Sequence, residues 1–235
     1  MNTKNSVSKI IFRTLFANKC ASCREITYDG ALCKSCEKEI KLNEENVCKI
    51  CGKPIERCVC KILGSRYYVK SISPLVFENK VTSALIYKLK SRGNKEVCNY
   101  LCTLMYRKIN SEYKNISFDF VTEVPSTSKK KRRKGFDHAY LLAKELSRLS
   151  GIKYKRSPIK RVNMGQQKTM DKKKRNDNAN KSYILKRGGS IYGNVLLVDD
   201  VMTTGSTLKS CARLLKKAGA KKVYCITAST SKGYK

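Results

Sequence analysis

The sequence predicts an α/β protein: a parallel sheet flanked by helices, preceded by a small cysteine-rich module. Three observations carry that reading. From about residue 67 onward, segments with strand and helix periodicity alternate. Val195-Leu196-Leu197-Val198 is a continuous apolar run of strand length, as expected of a strand covered on both faces. Eight of the twelve Cys fall within the first 60 residues, as closely spaced pairs.

Taken in order, residues 1–17 have the pattern of a short amphipathic helix leading into the cysteine module. The module ends near Cys60, and Gly64-Ser65 marks the boundary, which gives units 1–63 and 64–235. Tyr67 to Val76 is rich in β-formers and reads as strand, bent at Pro74. Val81, Ala84, Leu85 and Leu89 follow helical spacing up to Gly93, and Val97, Leu101, Leu104, Met105 and Ile109 repeat the pattern. Phe118 to Val124 alternates apolar with polar and stops at Pro125. Ala139, Leu142, Ala143, Leu146 and Leu149 define a helix closed by Gly151. After the run at 195–198, Leu208, Cys211, Leu214, Leu215 and Ala218 form another helix, and Val223 to Ala228 a last strand.

Composition narrows the function. The 235 residues carry 51 Lys+Arg against 18 Asp+Glu, a formal net charge of +33. Half of it lies in residues 129–187, which sum to +17. Two dense runs stand out: Lys129-Lys130-Lys131-Arg132-Arg133-Lys134 and Lys172-Lys173-Lys174-Arg175. Like charges so crowded repel, so both are expected as mobile loops unless an anion neutralises them. A single His excludes multi-His metal sites; His138, early in a helix, is expected as a surface or capping residue. No apolar run reaches the roughly 18 residues that span a bilayer, and Ile10–Phe16 is too interrupted for a secretory core. No membrane insertion and a cytoplasmic location are expected.

The paired cysteines have ligand spacing. A Cys-x2-Cys turn aims two thiolates at one point, and two turns complete a tetrahedral zinc site. Nearest-neighbour pairing gives Cys20, Cys23, Cys33 and Cys36, then Cys48, Cys51, Cys58 and Cys60; a crossed pairing (first turn with third, second with fourth) also satisfies the ligand count. One or two structural zinc ions are expected, since four thiolates leave no position for water. Cys98, Cys102, Cys211 and Cys225 sit in apolar patterns and are expected to pack as small hydrophobes.

The most specific segment runs from Val195 to Leu208. A buried strand ends in Asp199-Asp200, and Thr203-Thr204-Gly205-Ser206-Thr207 opens a helix. Ligands bind at the carboxyl edge of such strands, and backbone N–H groups at a helix start cradle phosphate. The two aspartates beside that cradle suit vicinal hydroxyls, which together describe a ribose 5-phosphate pocket. No Walker A loop or Gly-x-Gly-x2-Gly sequence is present.

The segment resembles the phosphoribosyl pyrophosphate (PRPP) motif of type I phosphoribosyltransferases, and the whole chain resembles the ComF/ComFC competence family, a double zinc ribbon followed by a phosphoribosyltransferase domain. Leu89-Lys90 with Gly93 resembles that family's Leu-Lys-x-x-Gly element. Val124-Pro125-Ser126 and Lys134-Gly135-Phe136-Asp137-His138-Ala139 resemble its Arg-Gly-Phe-Asn-Gln-Ala stretch, with Lys134 in place of Arg and Asp137-His138 in place of Asn-Gln. Gln167, Arg175 and Asn178, before Tyr183, match its Gln, Arg and Asn. The resemblance implies a type I phosphoribosyltransferase-like sheet. It implies that Asp199 and Asp200 hold the ribose hydroxyls and serve as catalytic residues. PRPP is expected along Asp199, Asp200, Val201, Met202, Thr203, Thr204, Gly205, Ser206 and Thr207, with Mg2+ accompanying it. Ser126, Lys129, Arg132, Arg133 and Lys134 are implied to face the pyrophosphate.

Three functions follow as expectations. The first is a PRPP-binding, single-stranded DNA-associated protein of natural transformation. There Lys130, Lys131, Lys172, Lys173, Lys174 and Arg175 track phosphates while Phe136, Tyr140, Tyr154 and Tyr183 stack on bases. The second is an active phosphoribosyltransferase on an unidentified nucleobase or other nucleophile. The third is a zinc-ribbon adaptor docking a competence helicase or other DNA-uptake proteins.

Overall fold

The computed structural model describes residues 18–27, 30–43, 47–53, 55, 58, 67–162 and 182–231, with backbone alone for 129–131. The 1–17 helix, the Gly64-Ser65 boundary, Cys60, Gln167, Lys172, Lys173, Lys174, Arg175 and Asn178 lie outside the described residues, as do the side chains of Lys129, Lys130 and Lys131.

Two short antiparallel strands, β1 (Asn18–Lys19) and β2 (Ile26–Thr27), and the helix α1 (Lys34–Lys38) hold the first four cysteines. Then come β3 (Ser71–Ile72) and β4 (Leu75–Phe77), interrupted around Pro74 as expected. Helices α2 (Lys80–Arg92) and α3 (Lys95–Glu112) follow, each begun by an Asn whose side chain accepts a backbone N–H, from Thr82 at 2.9 Å and from Val97 at 2.8 Å. Gly93 ends α2 in the left-handed conformation, φ 57°. The remaining elements are β5 (Phe120–Glu123), α4 (Ser128–Lys134), α5 (His138–Ser150), β6 (Ile159–Arg161), β7 (Tyr183–Leu185), β8 (Asn194–Met202), α6 (Ser206–Lys217) and β9 (Lys222–Ser231).

The main sheet is wholly parallel, in the order β5-β8-β9-β3, with β4 also pairing β9. Side chains of β8 alternate between two cores. Leu196 and Val198 join Leu85, Leu89, Leu101, Met105 and Leu142 on the face covered by α2, α3 and α5. Val195 and Leu197 join Leu208, Cys211, Leu215 and Ile159 on the face covered by α6 and the β6–β7 hairpin. Burial on both faces is why this strand has no polar alternation. Cys98, Cys102, Cys211 and Cys225 are buried within these cores.

Three features differ from the sequence reading. The run Ser128–Lys134 is helical, not a loop; repulsion between like charges is modest in water. Strand β8 continues through Asp199-Asp200 to Met202, four residues beyond the apolar run, because β9 pairs with it to Met202↔Thr230. The β6–β7 hairpin brings together segments 22 residues apart in sequence, a pairing no local periodicity marks.

The cysteine module is not a separate bead. Cys20, Ala21, Leu32 and Cys36 share the core cluster of α2 and α3. Ser71 N–H donates to Ile50 O at 2.7 Å, Asn43 N–H donates to Pro74 O at 2.8 Å, and the buried Asn43 amide donates to Gly52 O at 2.7 Å and Ser73 O at 3.1 Å.

Candidate functional site: a ribose-phosphate cleft and two thiolate clusters

The cleft opens at the carboxyl ends of β5 and β8. The chain leaves β5 toward α5 on one face and leaves β8 toward α6 on the other, and this divergence makes room for a ligand. Val124, Pro125 and Ser126 line one wall, Arg161 and Tyr183 of the hairpin another, and Lys90, His138, Asp199, Asp200, Val201 and Thr207 the rest. The Ser126 hydroxyl is buried without a hydrogen-bond partner among the described residues.

Because β8 remains a strand through both aspartates, their side chains part. Asp200 turns to the α2–α5 face, where its Oδ2 lies 3.0 Å from His138 Nε2 and 3.1 Å from Lys90 Nζ. Its Oδ1 accepts the Val201 N–H at 2.7 Å. Burial alone would raise Asp200; His138 and Lys90 outweigh it and hold the carboxyl well below the usual range. Asp199 Oδ1 accepts the Asp200 N–H at 2.9 Å. Burial first, then the Asp200 charge, push Asp199 well above the usual carboxylate value. The two carboxylates are therefore unequal: Asp200 is an ionised anchor already engaged by two donors, while Asp199 is the less committed acceptor.

Thr203 and Thr204 are exposed at the tip of the following loop, and Met202 is packed inside, so the loop proper begins at Thr203. Gly205 takes φ 79° at the N-cap of α6, a conformation that favours glycine. Gly205 has no side chain to cap that helix start, and the Ser206 N–H donates to Thr204 Oγ1 at 3.3 Å; the first turn of this 12-residue helix brings the positive end of its dipole to the cleft rim at Thr207. Thr204 Oγ1 and Ser206 Oγ lie 2.9 Å apart, which places two hydroxyls beside that turn.

Of the basic run's described side chains, Arg132 and Arg133 are exposed and Lys134 Nζ donates to Lys90 O at 2.5 Å; these three are not among the residues that line the cleft. Arg161 carries no local sequence signal, because its strand is recognisable only through its partner β7. His138 is a correction: it is buried at the cleft floor, not on the surface, since Asp137 occupies the N-cap position and turns His138 inward. Its sequence signal was its place in the Gly-Phe-Asp-His-Ala stretch.

At the other end, the ligand atoms of Cys20, Cys23, Cys33 and Cys36 all lie within 4.8 Å of one another. Cys48, Cys51 and Cys58 form a second such group. Among the described residues the thiols group as the nearest-neighbour pairing has them, Cys60 lying outside those residues. Cys23 and Cys33 sulfurs are 3.6 Å apart and those of Cys51 and Cys58 3.8 Å; a tetrahedron with Zn–S bonds near 2.3 Å has edges of about 3.8 Å. Burial opposes ionisation of Cys20, but backbone groups of Cys33, Cys23 and Ser22 overcome it and bring the thiol down to about 6. Burial likewise opposes Cys48, and the backbone at Cys51 and Ile50 brings it down to about 6. Each cluster so contains one thiolate near neutral pH, and the donor set fits zinc.

Comparison with known proteins agrees with both ends. Residues 132–233 match the phosphoribosyl transferase domain family and residues 11–66 the double zinc ribbon domain family. The chain is 28% identical over 201 residues to competence protein ComFC of Bacillus subtilis, covering 81% of this chain and 80% of that protein. It is 27% identical to competence protein F of Haemophilus influenzae, covering 88% and 95%. It is 25% identical to DNA utilization protein YhgH of Salmonella typhimurium, covering 83% and 96%.

Proposed function

The chain belongs to the ComF family, a double zinc ribbon joined to a phosphoribosyltransferase domain, and we propose that it binds PRPP and handles single-stranded DNA in the cytoplasm during natural transformation. The family supports the competence role. The observation that carries the PRPP reading is the juxtaposition of Asp199 with the glycine-opened start of α6 across one open cleft.

In this reading the Thr203–Thr207 loop holds the 5′-phosphate with backbone N–H groups and hydroxyls. Asp199 accepts a ribose hydroxyl. Asp200 anchors Lys90 and His138, so that two donors stand at the floor of the cleft. Ser126, with its unpartnered hydroxyl, and Arg161 face the pyrophosphate. Mg2+, brought with the pyrophosphate, would neutralise its oxygens. The protein's own contribution is positioning and fixed charge around the C1′–oxygen bond. Zinc in the cysteine clusters would be structural, holding a module whose residues also support β3 and β4.

Calorimetric titration of the zinc-loaded chain with PRPP and Mg2+ tests the reading. Saturable heat is expected, lost in Asp199→Asn and in Thr204→Ala with Ser206→Ala. The absence of heat, or undiminished heat in these variants, would overturn the site. Pyrophosphate release with candidate acceptors, measured on the same sample, separates a binding protein from a working transferase.

A further inference from the structure

Three cations within residues 144–161, Lys144, Lys155 and Arg161, each pair with aromatic rings. Past β5 the sheet has one more strand-like segment: Tyr154 bridges Val121 in parallel, with Val121 N–H donating to Lys153 O and Lys155 N–H to Val121 O, each at 3.0 Å. On one side of this edge Phe120 and Tyr192 meet edge to face at 5.0 Å, and Lys155 Nζ stands 5.1 Å from the Phe120 ring and 5.0 Å from that of Tyr192. On the other side Tyr140 and Tyr154 meet at 5.6 Å, with Lys144 Nζ 5.1 Å from the Tyr154 ring. The third cation, Arg161, stands over Tyr183 at 5.4 Å, at the cleft already described.

Tyr192 is 62% exposed and Tyr140 38% exposed. Tyr192 is the more open of the two; Tyr140 packs partly on Tyr154. Along residues 151–162 the charge is one-sided, five cations and no carboxylate; the exposed Asp119, next to Phe120, accepts the Asn194 N–H at 2.7 Å. Glu123 faces the edge from β5, but it is buried and accepts the Tyr154 hydroxyl at 2.9 Å. Glu145 on α5 is engaged by Arg148 at 2.6 Å.

We propose that this outer sheet edge, from Lys144 through Lys155 to the Phe120–Tyr192 pair, is the track on which single-stranded nucleic acid lies. This rests on the nucleic-acid part of the function proposed above and moves its location away from the Lys129–Lys134 run. Exposed Tyr rings stack on bases without regard to sequence, and the lysines beside them meet phosphates. Consecutive residues Tyr154 and Lys155 link the two sides, so one strand crossing the edge meets both platforms. A duplex has its bases already stacked and offers only phosphates, which is why the partner is single-stranded.

The test is fluorescence anisotropy of a labelled oligo-dT on the full, zinc-loaded chain across a salt series, for wild type, Tyr192→Ala, Lys155→Ala and the double variant. Tyr192→Ala should weaken binding by about 5- to 100-fold, the loss of one stacked base. Lys155→Ala should also reduce the salt slope by roughly 0.7, one phosphate on a single strand. A general structural defect would instead lower the melting temperature and the PRPP heat, both of which should stay at the wild-type value. Wild-type binding that the double variant retains would overturn the track and leave the nucleic-acid reading standing. No oligo-dT binding by wild type at low salt would overturn that reading itself. Equal affinity for a blunt duplex would overturn the stacking surface.

Discussion

Asp199→Asn should make the free protein more stable while removing its ligand. The side-chain ligand atoms of His138, Asp199 and Asp200 lie within 4.8 Å of one another, and two carboxylate charges at that separation repel by roughly 3–4 kcal/mol at an effective dielectric constant of about 20. Burial and this repulsion together hold the Asp199 carboxyl well above its usual value, so its ionisation weighs against the folded state once pH exceeds the unfolded value. Lys90, 3.1 Å from Asp200, offsets part of either penalty. Asparagine removes the charge and keeps an oxygen for the Asp200 N–H. The net gain should be about 1–3 kcal/mol, a rise of roughly 2–10 °C in Tm for a chain of this size. The sign follows from the raised folded value of Asp199: its stability is fully present below the unfolded value and is lost as pH rises through the folded one. The gap between variant and wild type should therefore be widest near neutral pH and close as pH falls toward about 4. Calorimetry across pH reads it directly. A variant that melts at or below wild type at pH 7, or a gap that does not change with pH, would refute the electrostatic reasoning.

Other outcomes follow from the same geometry. His138→Ala leaves the buried Asp200 with Lys90 as its one side-chain donor and should cost about 1.5–3 kcal/mol in urea unfolding, with His138→Gln restoring part of it by supplying an N–H at the same reach. Chelation of zinc should lower the melting temperature of the chain as a whole, not release a separate low-temperature transition, because Cys20 and Cys36 belong to the core of Leu85 and Leu89; differential scanning calorimetry distinguishes one shifted peak from two. Gly52→Ala places a Cβ 2.5 Å from the Ser71 carbonyl oxygen at a residue with φ +65°, and should cost about 2 kcal/mol or more, measured by equilibrium unfolding.

Much of this protein was legible from residue order alone. The Cys-x2-Cys turns at Cys20 and Cys33, the apolar run Val195–Val198 and the small-residue loop Thr203–Thr207 are short-range patterns, and short-range patterns encode ligand turns, buried strands and helix starts directly. The alternating segments after residue 67 fixed an α/β sheet for the same reason, since strand and helix periods are local properties of the chain. Tertiary structure decided what needs distant residues to meet. The thiol turns pair as neighbours because α1 and the β1–β2 turn pack on the same core. Asp199 and Asp200, adjacent and identical in sequence, differ because a strand sends successive side chains to opposite faces, and only one face holds Lys90 and His138. His138 is buried by a helix whose start depends on β5, and Arg161 reaches the cleft through pairing with β7. Burial and charge environment are set by approach in space, across more than a hundred residues in the case of Lys90 and Asp200, and no local spacing records that distance.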